Sequence, residues 1–201
     1  MEAVKLFHTA DLHFRPDQPH RDKCIASLVE LWERAVVEKP LAILISGDIF
    51  DGAVRNADRD GFDDLMIRMQ MLLNVAPVFA IYGTPTHDLA GSLEVFTYIM
   101  APHGFVIVEP DHYYLVGKSQ AVFPVRMIDE VIDISPALVI MGCPEPNKGW
   151  LLASQAGKSV GAAETTALLG AKMWELFAGY GAMRKKYANS PCVVMYHGLV
   201  R

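Results

Sequence analysis

Apolar residues fall in short blocks along this chain: "VKLFHTA", "LAILISG", "PVFAIYG", "GFVIVE", "HYYLVG", "QAVFPV", "ALVIMG" and "CVVMYHG". Each block is of strand length and rich in Val, Ile, Phe or Tyr, side chains that fit a pleated, buried surface, so each predicts a β-strand. Two segments between the first three blocks change period. In Arg21–Lys39, residues Ile25, Leu28, Val29, Trp32, Ala35 and Val36 share one helical face. After Asp60, residues Phe62, Leu65, Met66, Met69, Leu72 and Leu73 do the same. Both stripes are read as the core-facing sides of helices. Strand–helix–strand–helix–strand implies a parallel sheet with crossover helices. From Phe105 to Met141 the strands follow closely, with a hairpin turn at "GKS" (Gly117 to Ser119), so a more antiparallel sheet is expected there. A Gly- and Ala-rich stretch, Ala153 to Ala163, leads into a helix through "AKMWELFAGYGAMRKKY" and a last strand at Cys192. Nothing in the pattern divides the chain, so residues 1–201 are read as one domain.

At 201 residues and 52% hydrophobic content the chain can bury a substantial core. Its formal charge of -5 supplies no overall basic field for nucleic acid, so a phosphate-bearing substrate has to be held by bound cations or a local patch. Cys24, Cys143 and Cys192 are far apart among apolar neighbours, which suits reduced, buried thiols better than disulfides or a zinc site. The opening "MEAVKLFHTADLHF" lacks the basic start and apolar run of a signal peptide, and no segment has the length of a membrane span. A soluble cytoplasmic protein with no membrane partner is expected.

The strand tips carry the chemistry. The first strand runs into Asp11 and His13, the second into Asp48 and Asp51, the third into His87 and Asp88. Open parallel sheets bind ligands beyond the carboxyl ends of their strands, so three such tips point at one site. Carboxylates and imidazoles without thiolates suit manganese, magnesium, iron or zinc. One carboxylate can bridge two metals about 3.5–4 Å apart, and a histidine beside an aspartate can protonate a leaving alkoxide. His8 is read as a satisfied core residue, and His20, His103 and His112 as solvated. "NADRDG" (Asn56 to Gly61) imitates a calcium loop but has Ile67 where a bidentate Glu is needed. "GKS" at Gly157 to Ser159 lacks the upstream glycine of a phosphate loop, which would stand at Leu152.

Asp11-x-His13, "GDIFD" (Gly47 to Asp51), the His87-Asp88 pair after a glycine turn and a strand ending in His197-Gly198 together resemble the calcineurin-like metallophosphoesterases. Within them the chain most resembles the SbcD-type nucleases of double-strand-break repair and their phage relatives. The resemblance implies a four-layer α/β/β/α sandwich and a two-metal site, with Mn2+ as the expected cofactor. Asp11 and His13 would ligate the first metal, Asp48 would bridge both, and His197 would ligate the second. His87 would act as general acid, oriented by Asp88, with Asp51 standing behind the ligands. A metal-bound hydroxide would attack phosphorus. DNA is the implied substrate and an SbcC-like ATPase the implied partner.

Two departures shape the expectations. Thr86 stands where the family has an asparagine ligand, in a turn lengthened by Thr84 and Pro85, so the second metal should bind more weakly than the first. The closing Gly-His-x-His motif does not occur before Arg201, so the domain is expected to be truncated, with the Cys192–Tyr196 strand needing a neighbour, such as a second copy in a homodimer. The alternatives are a phosphatase or phosphodiesterase for a small nucleotide, and a non-catalytic scaffold like the retromer subunit that resembles this family.

Overall fold

The computed structural model describes residues 3–17, 19–52, 59–127, 134–143 and 162–198. Residues 56–58 of the calcium-loop imitation, the second "GKS" and most of the Gly- and Ala-rich stretch lie outside them. Eight strands and four helices occur among the described residues: β1 (Leu6–Thr9), α1 (His20–Glu38), β2 (Ala42–Ser46), α2 (Arg59–Leu73), β3 (Val78–Ile81), α3 (Glu94–Thr97), β4 (Phe105–Ile107), β5 (His112–Val116), β6 (Val122–Arg126), β7 (Leu138–Cys143), α4 (Ala162–Lys186) and β8 (Cys192–Tyr196). Every apolar block forms its strand. The last helix begins nine residues before the expected Ala171, at Ala162. The single turn α3 has no counterpart in the sequence reading, because four residues are too few to show a period.

The strands form two sheets, in the orders β1-β2-β3-β4 and β6-β5-β7-β8. The first is wholly parallel, as its crossover helices require. In the second, β5 pairs antiparallel with β6 and β7, and β8 lies parallel to β7 because the long helix α4 carries the chain back between them. The β5–β6 hairpin closes through Gly117 N–H to Ala121 O, 2.9 Å.

Side-chain alternation along each strand builds the layers. On β2, Ile43 and Ile45 join Val78 and Ala80 against α1 and α2, packing with Leu28, Leu65 and Met69. Their neighbours Ala42 and Leu44 face the other way and meet Tyr114, Leu138 and Ile140 of the second sheet. Tyr113, Leu115 and Val139 on the far face of that sheet pack on Leu176 and Tyr180 of α4. The order is helix, sheet, sheet, helix: the four-layer sandwich. Cys24 and Cys143 are buried, which pushes their thiols up to about 12 and about 11 and leaves them protonated, and none of the three cysteines is in a disulfide.

Two minor expectations are corrected. His8 is exposed rather than in the core, although its Nε2 lies 2.9 Å from Ser46 Oγ. His112 is not simply solvated, since its Nδ1 sits between Asp111 Oδ1 (2.8 Å) and Glu109 Oε2 (3.0 Å).

Candidate metal centre

Beyond the carboxyl ends of β1 and β2 the two chains continue side by side. Asp11 N–H donates to Gly47 O (3.1 Å), His13 N–H to Asp48 O (2.9 Å) and Phe14 N–H to Ile49 O (2.8 Å). Sequence-distant ligands are thereby locked in register. The locking imposes unusual backbone angles. Asp11 (φ 55), His13 (φ 44) and Asp48 (φ 52) are three of the five described non-glycine residues with positive φ. Each such residue costs of order 1–3 kcal/mol, a strain that collects where side chains must be aimed at a site.

Asp48 is the centre. Its side chain is 5% exposed. Oδ1 accepts the Thr84 N–H at 2.6 Å, and Oδ2 lies 3.2 Å from Thr84 Oγ1 and 2.8 Å from His87 Nδ1. His197 Nε2 is 3.4 Å and His13 Nε2 3.9 Å from the same Oδ2. Burial pushes the Asp48 carboxyl up, but the His87 and Thr84 hydrogen bonds outweigh it, with His197 and His87 adding to the effect when their rings are protonated, and the group is held below its usual range. His87 shifts the opposite way. Its hydrogen bond to Asp48 raises it, partly offset by burial, with Asp48, Asp51 and Asp88 all favouring the imidazolium.

His197 comes from the other sheet, at the end of β8. Its Nδ1 lies 2.8 Å from the Ser46 carbonyl, which can only accept, so Nδ1 carries the proton and the Nε2 lone pair faces Asp48. A bare lone pair and a carboxylate 3.4 Å apart repel unless a proton or cation lies between them. Two sets of three ligand atoms lie within 4.8 Å of one another here: His13, Asp48 and His87, and Asp11, Asp48 and His197. Both share Asp48. Oxygen and imidazole donors of this kind fit divalent cations. Two glycines keep the space open. A Cβ on Gly83 would stand 2.1 Å from Asp48 Oδ1, and one on Gly47 (φ 86) 2.5 Å from His197 Nδ1.

Several geometric expectations need correcting. The sequence reading grouped Asp11 with His13, and His13 Nε2 does lie 3.9 Å from Asp11 Oδ1; around Asp48, Asp11 also comes together with His197, and His13 with His87. Asp88 does not hold the His87 ring. Its oxygens accept the Phe50 and Gly83 N–H groups, each at 2.9 Å, and it is 2% exposed. Asp48, not Asp88, takes the His87 Nδ1 contact. Thr86 is exposed and has no side-chain partner among the described residues, whereas Thr84 meets Asp48 and lies 3.4 Å from His197 Nε2. The extra turn length exchanges one threonine for the other. Asp51 lies behind the cluster, its Oδ1 3.7 Å from His87 Nε2 and its Oδ2 bonded to Arg15 Nε. Arg15 was missed: a lone arginine in a loop carries no periodic signal.

Acceptor-rich carboxylates and imidazoles gathered at the carboxyl end of a parallel sheet define a metal-binding α/β protein. Residues 4–102, which supply every ligand candidate around Asp48 except His197, match the family model described as calcineurin-like phosphoesterase. That match supports the calcineurin-like phosphoesterase superfamily for this chain, and with it metal-dependent phosphoester hydrolysis. No curated protein matches the chain.

Proposed function

We propose that the chain is a metal-dependent phosphodiesterase that cleaves DNA in the manner of the SbcD-type nucleases. The observation that best supports a phosphodiester reaction is the sharing of Asp48 by two ligand groups, because a shared carboxylate is what sets two cations a few ångströms apart. In this reading, two divalent cations, manganese by preference, supply charge neutralisation at phosphorus when bound. Asp11 and His197 would serve one, His13 the other and Asp48 both. The Ser46 carbonyl keeps the His197 lone pair aimed, and the Thr84 amide keeps Asp48 from rotating. His87 holds its proton because Asp48 and Asp51 flank it, and we assign it the donation from Nε2 to the leaving oxygen. Asp11, 61% exposed, and His13, 38% exposed, leave one side of the cluster open to solvent, which suits a long chain laid across it. In an acidic molecule Asp11, His13, Asp48 and His197 would hold the positive charge that offsets a DNA backbone, and an SbcC-like ATPase or a second copy of the chain would supply further contacts.

The test compares linear duplex DNA, plasmid and a nitrophenyl phosphodiester with Mn2+, with Mg2+ and with EDTA. Metal-dependent cleavage of duplex is expected, lost together with metal binding in Asp48→Ala. His87→Ala should lose about 10²–10⁴-fold in rate. Turnover of small esters alone would favour a nucleotide phosphodiesterase or phosphatase, and metal binding without any hydrolysis would favour a scaffold.

A further inference from the structure

The opposite end of the sandwich holds a second concave site. The strands β1 and β2 run parallel, as do β7 and β8, and the residues preceding each of the four line a cleft of about 970 Å³. Its lining carries four cations, Lys5, Lys39, Lys118 and Arg184, against one carboxylate, Glu38. That local surplus of positive charge stands against the chain's overall -5. Lys5 is paired with Glu38, and Arg184 donates to Ala188 O at 3.2 Å. Lys39 and Lys118 are exposed and have no carboxylate partner among the described residues.

The walls are tied together across elements. Gln120 Nε2 donates to Pro40 O (3.0 Å) and Val75 O (3.3 Å), pinning the β5–β6 turn to the entries of β2 and β3. Ser190 Oγ donates to Pro136 O at 2.7 Å, joining the entries of β8 and β7. Leu41 N–H to Lys5 O, 2.9 Å, closes the remaining side. A cleft braced in this way exists before any ligand arrives, and its volume lies in the range of about 300–1,000 Å³ typical of small-molecule sites.

We infer that this cleft binds an oligophosphate, either free or carried by a nucleoside. Adjacent phosphates concentrate several negative charges within a few ångströms, which matches a cleft lined by four cationic side chains and one carboxylate, with Lys39 and Lys118 unpaired among the described residues. A nucleic-acid duplex is the poorer match, because the positive charge is confined to a concavity rather than spread along a face. The site is separate from the metal centre and does not depend on the reaction proposed there.

The test is calorimetric titration of the full chain with sodium tripolyphosphate and, separately, ATP, at low salt in EDTA so that no metal can capture phosphate at the other end. Saturable 1:1 binding that weakens with salt is expected. Lys39→Glu with Lys118→Glu should weaken it at least about tenfold. Lys172→Glu, on α4 beside Glu175 and outside the cleft, should not. Circular dichroism and retained metal binding check the fold, and the Gln pair replaces the Glu pair if the latter fails to fold. Tighter binding of ATP than of tripolyphosphate identifies the nucleoside form, and equal binding the free form. The inference is overturned if neither ligand binds, if binding is the same in the cleft variants, or if only duplex DNA binds.

Discussion

Asp88 offers the sharpest separation between two roles, because an orienter of His87 and a brace of the loops respond differently to the same substitution. Both of its oxygens accept backbone N–H groups, from Phe50 and Gly83, at 2.9 Å in a site almost closed to water. Burial pushes its carboxyl upward, while those amides favour the ionised form they bind. In Asp88→Asn one amide keeps an acceptor and the other meets an N–H donor. A buried donor left unsatisfied costs about 1–3 kcal/mol. Asp88→Ala strands both amides and should cost about 2–6 kcal/mol, a large share of the roughly 5–15 kcal/mol that holds a domain together. Urea unfolding of the metal-free chain at pH 7 measures this directly. With a slope of about 2–3 kcal/mol/M, the Asn variant should lose roughly 0.3–1.5 M in midpoint, and the Ala variant more. Metal affinity should fall in both, since Gly83 and Phe50 flank the loops that carry Thr84 and Asp48. An Asn variant within about 0.5 kcal/mol of the parent, with a changed His87 titration, would refute the bracing role and restore the orienting one.

Three further outcomes are expected. Gly83→Ala must displace Asp48, whose Oδ1 and backbone N would stand 2.1 and 2.2 Å from the new Cβ, so it should lose about 1–3 kcal/mol or more in urea unfolding and bind metal more weakly. Gly104→Ala, with nothing within 4 Å, is the silent control. Thr84→Val should weaken metal binding in calorimetry and Thr86→Val should not; equal effects would show that the exposed threonine had been wrongly set aside. In the metal-free chain the His87–Asp48 pair should stabilise most between the two ordinary pKa values of 6.5 and 3.8. The His87 contribution is present below 6.5 and fades as pH rises through its elevated folded value, whereas the Asp48 contribution is present above 3.8 and fades as pH falls through its depressed one. His87→Gln should remove the alkaline fall, as read by denaturation midpoints across pH.

The strands were legible because burial on both faces leaves a direct mark: "AILIS" has no polar residue before Ser46, and such a strand has to lie between two layers. The tip residues Asp11, His13, Asp48 and His87 were legible for a similar reason, as polar side chains following a core strand have only one end of the sheet to occupy. Which side chain faces which was not. Within the turn after Gly83 no period applies, so the choice between Thr84 and Thr86 depends on backbone angles that a string of letters does not contain. Asp88 looked like a partner for its neighbour, yet its carboxylate turns back to amides at positions 50 and 83. The grouping of Asp11 with His197 depends on how two sheets stack, a relation between residues almost the whole chain apart.

The hydrogen bond from His197 to the Ser46 carbonyl spans 151 positions in sequence and joins one sheet to the other. It therefore acts as a latch on sliding between the layers. If the sheets shear along their strands, the imidazole is drawn from both the carbonyl and Asp48 at once. A cation held between His197 and Asp48 would tighten the same latch, so its removal by a chelator should loosen the β7–β8 side of the sandwich in amide hydrogen exchange before any helix unravels.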